Sequence, residues 1–194
     1  MDILQYKIIL GSASKSRQKI LREMGYEFEI MPSNIDEKAI RSEDPRELVI
    51  QLAYAKAESL FPRLQEPAIL ITSDQVILCN GKIREKPQSE NEAREYLYMY
   101  AEYPPETVTS VVITNTGVKK QIEAVDVCKI IFSEIPESVI EEYIRNREAF
   151  THAGGFGVED PLFAPYIKEM QGEYESILGL PRKLTENLLN EIIK

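Results

Sequence analysis

The segment Gly11-Ser12-Ala13-Ser14-Lys15-Ser16-Arg17 has the composition of an anion cradle. Small residues let a ligand approach the backbone closely, and the hydroxyls of Ser12 and Ser14 add hydrogen-bond donors. A helix that starts here presents the positive end of its dipole. Arg17 can grip two phosphate oxygens with parallel hydrogen bonds. The segment is neither a Walker A loop nor a G-x-G-x-x-G turn, and serines before a helix also serve as plain caps. A second set is acidic: Asp36, Glu37 and Asp74. Mg2+ prefers oxygen ligands and often takes one or two carboxylates together with substrate phosphates. Asp36-Glu37 also reads as a solvated turn, and Asp74 as a turn or cap residue. A third set is basic: Lys56, Arg84 and Lys86. Lys56 is flanked by Ala53, Ala55 and Ala57, whose small size permits close packing, and Pro87 stiffens the turn after Lys86.

These residues need elements to position them. Lys7 to Leu10 is a short apolar run ending at Gly11, the pattern of a buried strand. A helix follows, with Ser14 as cap, Ile20, Leu21 and Met24 at helical spacing, and Gly25 as stop. Glu27 to Met31 reads as a second strand. Asp44-Pro45-Arg46-Glu47 is a strong helix start, with a capping aspartate and proline at the first helical position. Leu48, Leu52, Ala55 and Leu60 then point to a core, and Pro62 closes the helix. Ala68 to Thr72 is the next buried strand, which places Asp74 just past its end, where open α/β sheets bind ligands. Val76 to Leu78 continues extended into Asn80-Gly81, a two-residue hairpin signal. Ser89 to Glu92 matches a capping box before a third helix. Thr107 to Thr114 and Glu123 to Phe132 are β-rich, joined through Thr116-Gly117, and helices follow Pro136 and Pro181. The pattern is α/β: one mixed sheet with long hairpins and flanking helices.

Composition narrows the function. Of 194 residues, 32 are acidic and 23 basic, a net charge of −9, which argues against a broad nucleic-acid surface. A few local cations still suffice for a small anionic ligand. No window has the length of apolar sequence that spans a membrane. The N-terminus lacks the features of a signal peptide, so a soluble, cytoplasmic protein is expected. Cys79 and Cys128 lie in separate strand-like segments and read as small buried apolar residues rather than a disulfide or zinc site. The single histidine, His152, cannot form a multi-histidine metal site.

Taken in order, the short motifs resemble the Maf family along nearly the whole chain. Gly11 to Arg17 is similar to its A-S-x-S-P-R-R motif, Asp36-Glu37 to its acidic pair, and Ala53 to Ala57 to its A-x-x-K-A helix segment. Ser73-Asp74-Gln75 matches its (A/S)-D-(T/Q) strand, and Glu85-Lys86-Pro87 its E-K-P turn. Ala153 to Phe156 and Gly179-Leu180-Pro181 match its late glycine motifs. Lys15 and Ser16 stand where the family usually has proline and an arginine or another large residue.

The resemblance implies one Maf-like domain over 1–194. Its mixed α/β fold would have two lobes around a nucleotide cleft, similar to inosine triphosphate pyrophosphatases. It implies hydrolysis of a nucleoside triphosphate to the monophosphate and pyrophosphate, supported by Mg2+, or by Mn2+ or Co2+ in its place. Asp74, Lys86 and Lys56 are then expected at the reacting phosphates. Ser12, Ser14 and Arg17 are expected on phosphate oxygens, and Glu37 with Asp74 on the metal. Gln75 and Glu159 resemble the family's 7-methyl-GTP group rather than its dTTP/UTP group. A carboxylate at Glu159 suits the donors of guanine, although Glu159 beside Asp160-Pro161 also reads as a loop residue. The expected partner is the nucleotide, with no nucleic acid and no membrane, and a homodimer by family analogy. The competing readings are a dTTP/UTP pyrophosphatase and a non-enzymatic regulator of septum formation. Arg17, Glu37, Lys56, Asp74 and Lys86 together favour an enzyme.

Overall fold

The computed structural model describes residues 3–194, the side chain of residue 4 excepted. Its strands are β1 (Ile8–Leu10), β2 (Glu29–Ile30), β3 (Ile69–Cys79), β4 (Lys82–Arg84), β5 (Glu106–Asn115), β6 (Lys120–Phe132) and β7 (Ile167–Gln171). Its α-helices are α1 (Lys15–Glu23), α2 (Pro45–Leu60), α3 (Glu90–Met99), α4 (Glu137–Arg145), α5 (Tyr174–Ile177) and α6 (Arg182–Ile192). The strands form a mixed sheet in the order β2-β1-β3-β5-β6-β7, with β4 paired to β3. The expected α/β class is therefore the observed one. The chain divides into two compact units: residues 1–75, 109–126 and 173–194, and residues 76–108 and 127–172.

In the first unit β1 runs parallel to β2 and to the start of β3, with Ile8, Ile9 and Leu10 opposite Ile69, Leu70 and Ile71. Successive strand residues face opposite sides, and here both sides are covered. Ile8, Leu10, Ile69 and Ile71 pack with Ile20 and Leu21 of α1 and Leu188, Leu189 and Ile192 of α6. Ile9 and Leu70 pack instead with Ala57 and Leu60 of α2. The apolar runs KIIL and AILIT are thus strands buried on both faces, which is why they show no polar alternation.

The expected helix starts are present. Ser14 accepts a hydrogen bond from the Arg17 N–H, and Asp44 accepts one from the Arg46 N–H with Pro45 opening α2. Two expectations need correction. The strand expected over 27–31 is only Glu29–Ile30, because both residues are exposed and pair on one side alone. Asp74 does not follow a strand but lies inside one. β3 runs unbroken for 11 residues, since its start pairs with β1 and its end turns through Asn80-Gly81 into antiparallel β4. Asn80 and Gly81 both have positive φ, 49° and 69°, as that tight hairpin requires.

The second unit holds β4, α3, α4, β7 and an aromatic core. Phe156 meets Tyr100 and Phe132 edge-on, with centroids 5.2 and 5.3 Å away, and Tyr143 lies 4.7 Å from Phe163. β7 pairs antiparallel with β6. Nothing in the alternation of residues 167–171 announces that strand; its pairing with β6 creates it. Cys79 and Cys128 are both buried and not joined in a disulfide, as expected. Among the described residues, no helix is long and apolar enough to cross a membrane.

Candidate active site

The chemistry-bearing residues of the first unit converge on the middle of β3. Thr72 Oγ1 donates to the Ala53 carbonyl of α2 at 2.8 Å. Ser110 Oγ donates to the Val49 carbonyl at 2.7 Å and accepts from the Asp74 N–H at 3.3 Å. These bonds hold α2 against β3, and the fully buried Ala53 and Ala57 let the helix lie close. Lys56 therefore enters the site at short range. It is only 7% exposed, a burial that a solvated helix lysine would not show.

Lys56 Nζ pairs with Asp74 Oδ1 and, at 2.9 Å, with Glu37 Oε1. Glu37 is delivered by a single turn of 3-10 helix, Glu37–Ala39, whose cap is Asp36: its carboxylate accepts from the Lys38 N–H at 3.1 Å. The adjacent acids thus divide the work, Asp36 capping the turn and Glu37 reaching the lysine. Asp74 is 8% exposed. Burial pushes its carboxyl above the ordinary value, with Lys56 and Arg17 pulling it back down and Glu37 adding to the rise.

Arg17 is held by carbonyls. Its Nε donates to Gly179 O at 2.8 Å and its Nη1 to Ser73 O at 2.7 Å. Ser73 Oγ donates to the same Gly179 carbonyl at 3.1 Å. Burial lowers the pKa of the guanidinium, against the pull of Asp74 and Glu37, and an arginine in a protein keeps its charge. Two bonds fix the plane of the group while Nη2 has no hydrogen-bond partner among the described residues. The cradle before Arg17 is similarly ordered. Ser12 Oγ accepts from the Ser14 N–H at 3.2 Å, and Gln18 Nε2 donates to Ala13 O at 3.1 Å. A side chain at Gly11 would put Cβ 2.6 Å from Thr72 Cγ2, so only glycine allows this approach to β3. Ser14 is a cap as well as a cradle residue; its oxygen accepts and its hydroxyl proton remains a donor.

Gln75 was expected at the substrate. Its Nε2 donates to Thr109 Oγ1 at 2.7 Å and to the Ser176 and Ile177 carbonyls at 2.9 and 3.3 Å. Its nitrogen is spent on pinning α5, and Oε1 is the atom left for another partner. Sequence reasoning missed Ser73 and the Gly179 carbonyl as the seat of Arg17. The Gly179-Leu180-Pro181 motif was visible, but a carbonyl's target cannot be read from a motif.

In the second unit Lys86 and Glu159 are both exposed. What is constrained around Lys86 is its backbone. Glu85 O accepts from the Gly154 N–H at 3.1 Å, and Gln88 Nε2 donates to Lys86 O at 2.7 Å. The Gln88 N–H donates to Glu92 Oε2 at 2.7 Å, while Ser89 Oγ accepts from the Glu92 N–H. Gly154 and Gly155 have φ of 71° and 74°, and a Cβ on Gly155 would lie 3.1 Å from Pro87 Cγ. The E-K-P turn and the later glycines therefore form one clasp. Arg84, noted beside Lys86, is buried and stacks over Tyr96 at 5.0 Å. The turn before Glu159 is fixed by the Gly157 N–H donating to the Tyr143 hydroxyl at 3.0 Å.

Among the described residues no three His, Cys, Asp or Glu side chains cluster as a ready-made metal cage. Asp74 and Glu37 make a pair, which is the number Mg2+ usually takes from protein when phosphates supply the rest.

The Maf-like protein family model matches residues 7–192. The chain belongs to the Maf family. It is 42% identical over 192 residues to the 7-methyl-GTP pyrophosphatase of Dictyostelium discoideum, covering 95% of this chain and 96% of that one. It is 35% identical over 175 residues to the dTTP/UTP pyrophosphatase of Pyrococcus furiosus, covering 90% of each. The dTTP/UTP pyrophosphatase of Vibrio vulnificus is 28% identical over 188 residues, 97% of this chain and 100% of its own. A solved nucleoside-triphosphatase / dITP/XTP pyrophosphatase from Mycobacterium abscessus gives a TM-score of 0.43 at 10% identity, over 67% of this chain and 76% of its own. That likeness is too loose to bear on the fold or the reaction.

Proposed function

We propose that this chain is an enzyme that hydrolyses a nucleoside triphosphate to the monophosphate and pyrophosphate with a divalent metal, and that 7-methyl-GTP is its preferred substrate. The observation that carries the reading is the group of Lys56, Asp74, Glu37 and Arg17. Lys56 bridges the two carboxylates, and Arg17, seated on the Gly179 and Ser73 carbonyls, adds a second cation; together they provide what a polyphosphate and a divalent ion need.

Cleavage at the α phosphate leaves negative charge on pyrophosphate. The free Nη2 of Arg17 and the hydroxyls of Ser12 and Ser14 are donors for those oxygens, and Lys56 and Lys86 neutralise them. Asp74 takes the proton of the attacking water or holds the metal ion. Bound by Asp74 and Glu37, Mg2+ would offset phosphate charge and acidify a bound water, and Mn2+ or Co2+ suits the same oxygen ligands. The base is selected by Glu159, whose carboxylate accepts from the N1–H and amine of guanine. Methylation at N7 makes the ring cationic, which adds Coulomb attraction. Gln75 contributes through the one atom its amide leaves open, Oε1. The relatives named above support this reading, the 7-methyl-GTP enzyme sharing the most identity with this chain of the three.

The test is pyrophosphate release from 7-methyl-GTP, GTP, UTP and dTTP, each with and without chelator. The outcome expected is chelator-sensitive release, fastest with 7-methyl-GTP. Release of orthophosphate alone would remove the reaction; UTP or dTTP as best substrate would remove only the choice of base.

A further inference from the structure

Lys56 bonds both carboxylates of the candidate metal pair at once, Asp74 Oδ1 and Glu37 Oε1. We propose that Lys56 is the resident counter-cation of that pair: a divalent ion reaches Asp74 and Glu37 only by displacing the Lys56 ammonium, which then turns to the phosphates of the nucleotide. The inference rests on the reading that Asp74 and Glu37 hold the metal, and the experiment below separates the two failures.

The argument is one of space and charge. An ion at bonding distance from Asp74 Oδ1 and Glu37 Oε1 would share both oxygens with Lys56 Nζ, and cations so close repel, most strongly beside the buried Asp74. The backbone of Lys56 cannot retreat, because α2 is fastened to β3 through Thr72 and Ser110. The side chain can, since an ammonium on a four-carbon stem is a mobile point charge. Asp74 and Glu37 are already balanced by Lys56 and Arg17, which both act on Asp74. Adding a divalent ion leaves two surplus positive charges, and a triphosphate supplies the compensation. Metal and nucleotide should therefore bind cooperatively, with Lys56 as the source of the coupling, and the coupling must be reciprocal.

The test measures metal binding directly, by the loss of the free Mn2+ EPR signal at neutral pH. The proteins are wild type, Lys56→Met, Lys56→Gln and Asp74→Asn, without nucleotide. Lys56→Met and Lys56→Gln should bind Mn2+ about tenfold more tightly than wild type, within the usual range of coupling between sites. Their turnover should nevertheless fall. A saturating α,β-methylene triphosphate should tighten Mn2+ binding strongly in wild type and much less in Lys56→Met. If the Lys56 variants bind Mn2+ no tighter while Asp74→Asn abolishes binding, the displacement is wrong and the metal assignment survives. If Asp74→Asn binds Mn2+ as wild type does, the metal assignment falls and takes the inference with it. Should the Lys56 variants fail to fold, wild type decides: Mg2+ alone should quicken exchange of the Lys56 Nζ protons with water in NMR spectra. Unchanged exchange at saturating Mg2+ would overturn the inference.

Discussion

The two units present their chemistry in opposite ways. In the first, the side chains are locked and paired with one another: Lys56 to Asp74 and Glu37, Arg17 to two carbonyls. In the second, Lys86 and Glu159 are exposed, and it is the backbone beneath them that is locked. Charges that must act on a phosphate at fixed geometry gain from side-chain preorganisation. A lysine or glutamate that meets its ligand at the surface needs only a stiff base and a short reach. Substitutions in the first unit should therefore damage catalysis through lost charge and through disturbed geometry, and those in the second through loss of a single charge alone.

The largest effect should come from Asp74→Asn. The change is nearly isosteric, so the fold should persist by circular dichroism, yet turnover should fall about 10²-fold or more with loss of the carboxylate. A folded, fully active variant would show that the paired charges are structural only. Next comes Arg17→Lys, which keeps the charge but replaces a planar fork, with Nε and Nη1 on the Gly179 and Ser73 carbonyls and Nη2 beyond them, by donors on a single nitrogen that cannot match those positions. Losing one charge-assisted hydrogen bond of about 1.5–3 kcal/mol should lower kcat/KM roughly tenfold or more. Equal activity would mean that the fixed plane of Arg17 is irrelevant.

In the second unit the contrast can be sharpened within one clasp. Gly155→Ala should cost about 1–3 kcal/mol in denaturant unfolding, because φ is positive and the new Cβ crowds Pro87. Lys86→Ala should change stability by no more than about 0.5 kcal/mol while still lowering kcat/KM. A large stability loss at Lys86 would erase the distinction between a stiff backbone and a free side chain. The smallest effect is expected from Glu159→Gln. Its preference for 7-methyl-GTP over GTP should shrink while hydrolysis continues, as measured by the ratio of kcat/KM values.

The sequence by itself determined the parts with local causes. Ser14, Asp44 and Ser89 announce helix starts because a cap is satisfied by backbone within three residues. Asn80-Gly81 announces a hairpin because those residues tolerate positive φ, and KIIL and AILIT announce buried strands because both faces are apolar. The order of motifs was enough to point to the family. Tertiary structure alone decided how these parts meet. Asp74 looked like a strand-end residue, yet it lies mid-strand because pairing with β1 and β4 extends β3 on either side. By residue type Asp36 and Glu37 were equivalent and the family resemblance pointed to Glu37; the turn gives Asp36 the cap and Glu37 the contact with Lys56. Gln75 pins α5, and Arg17 is seated by a carbonyl 162 residues away. Such bonds join positions whose spacing along the chain carries no periodic signal, so only the packed fold could reveal them.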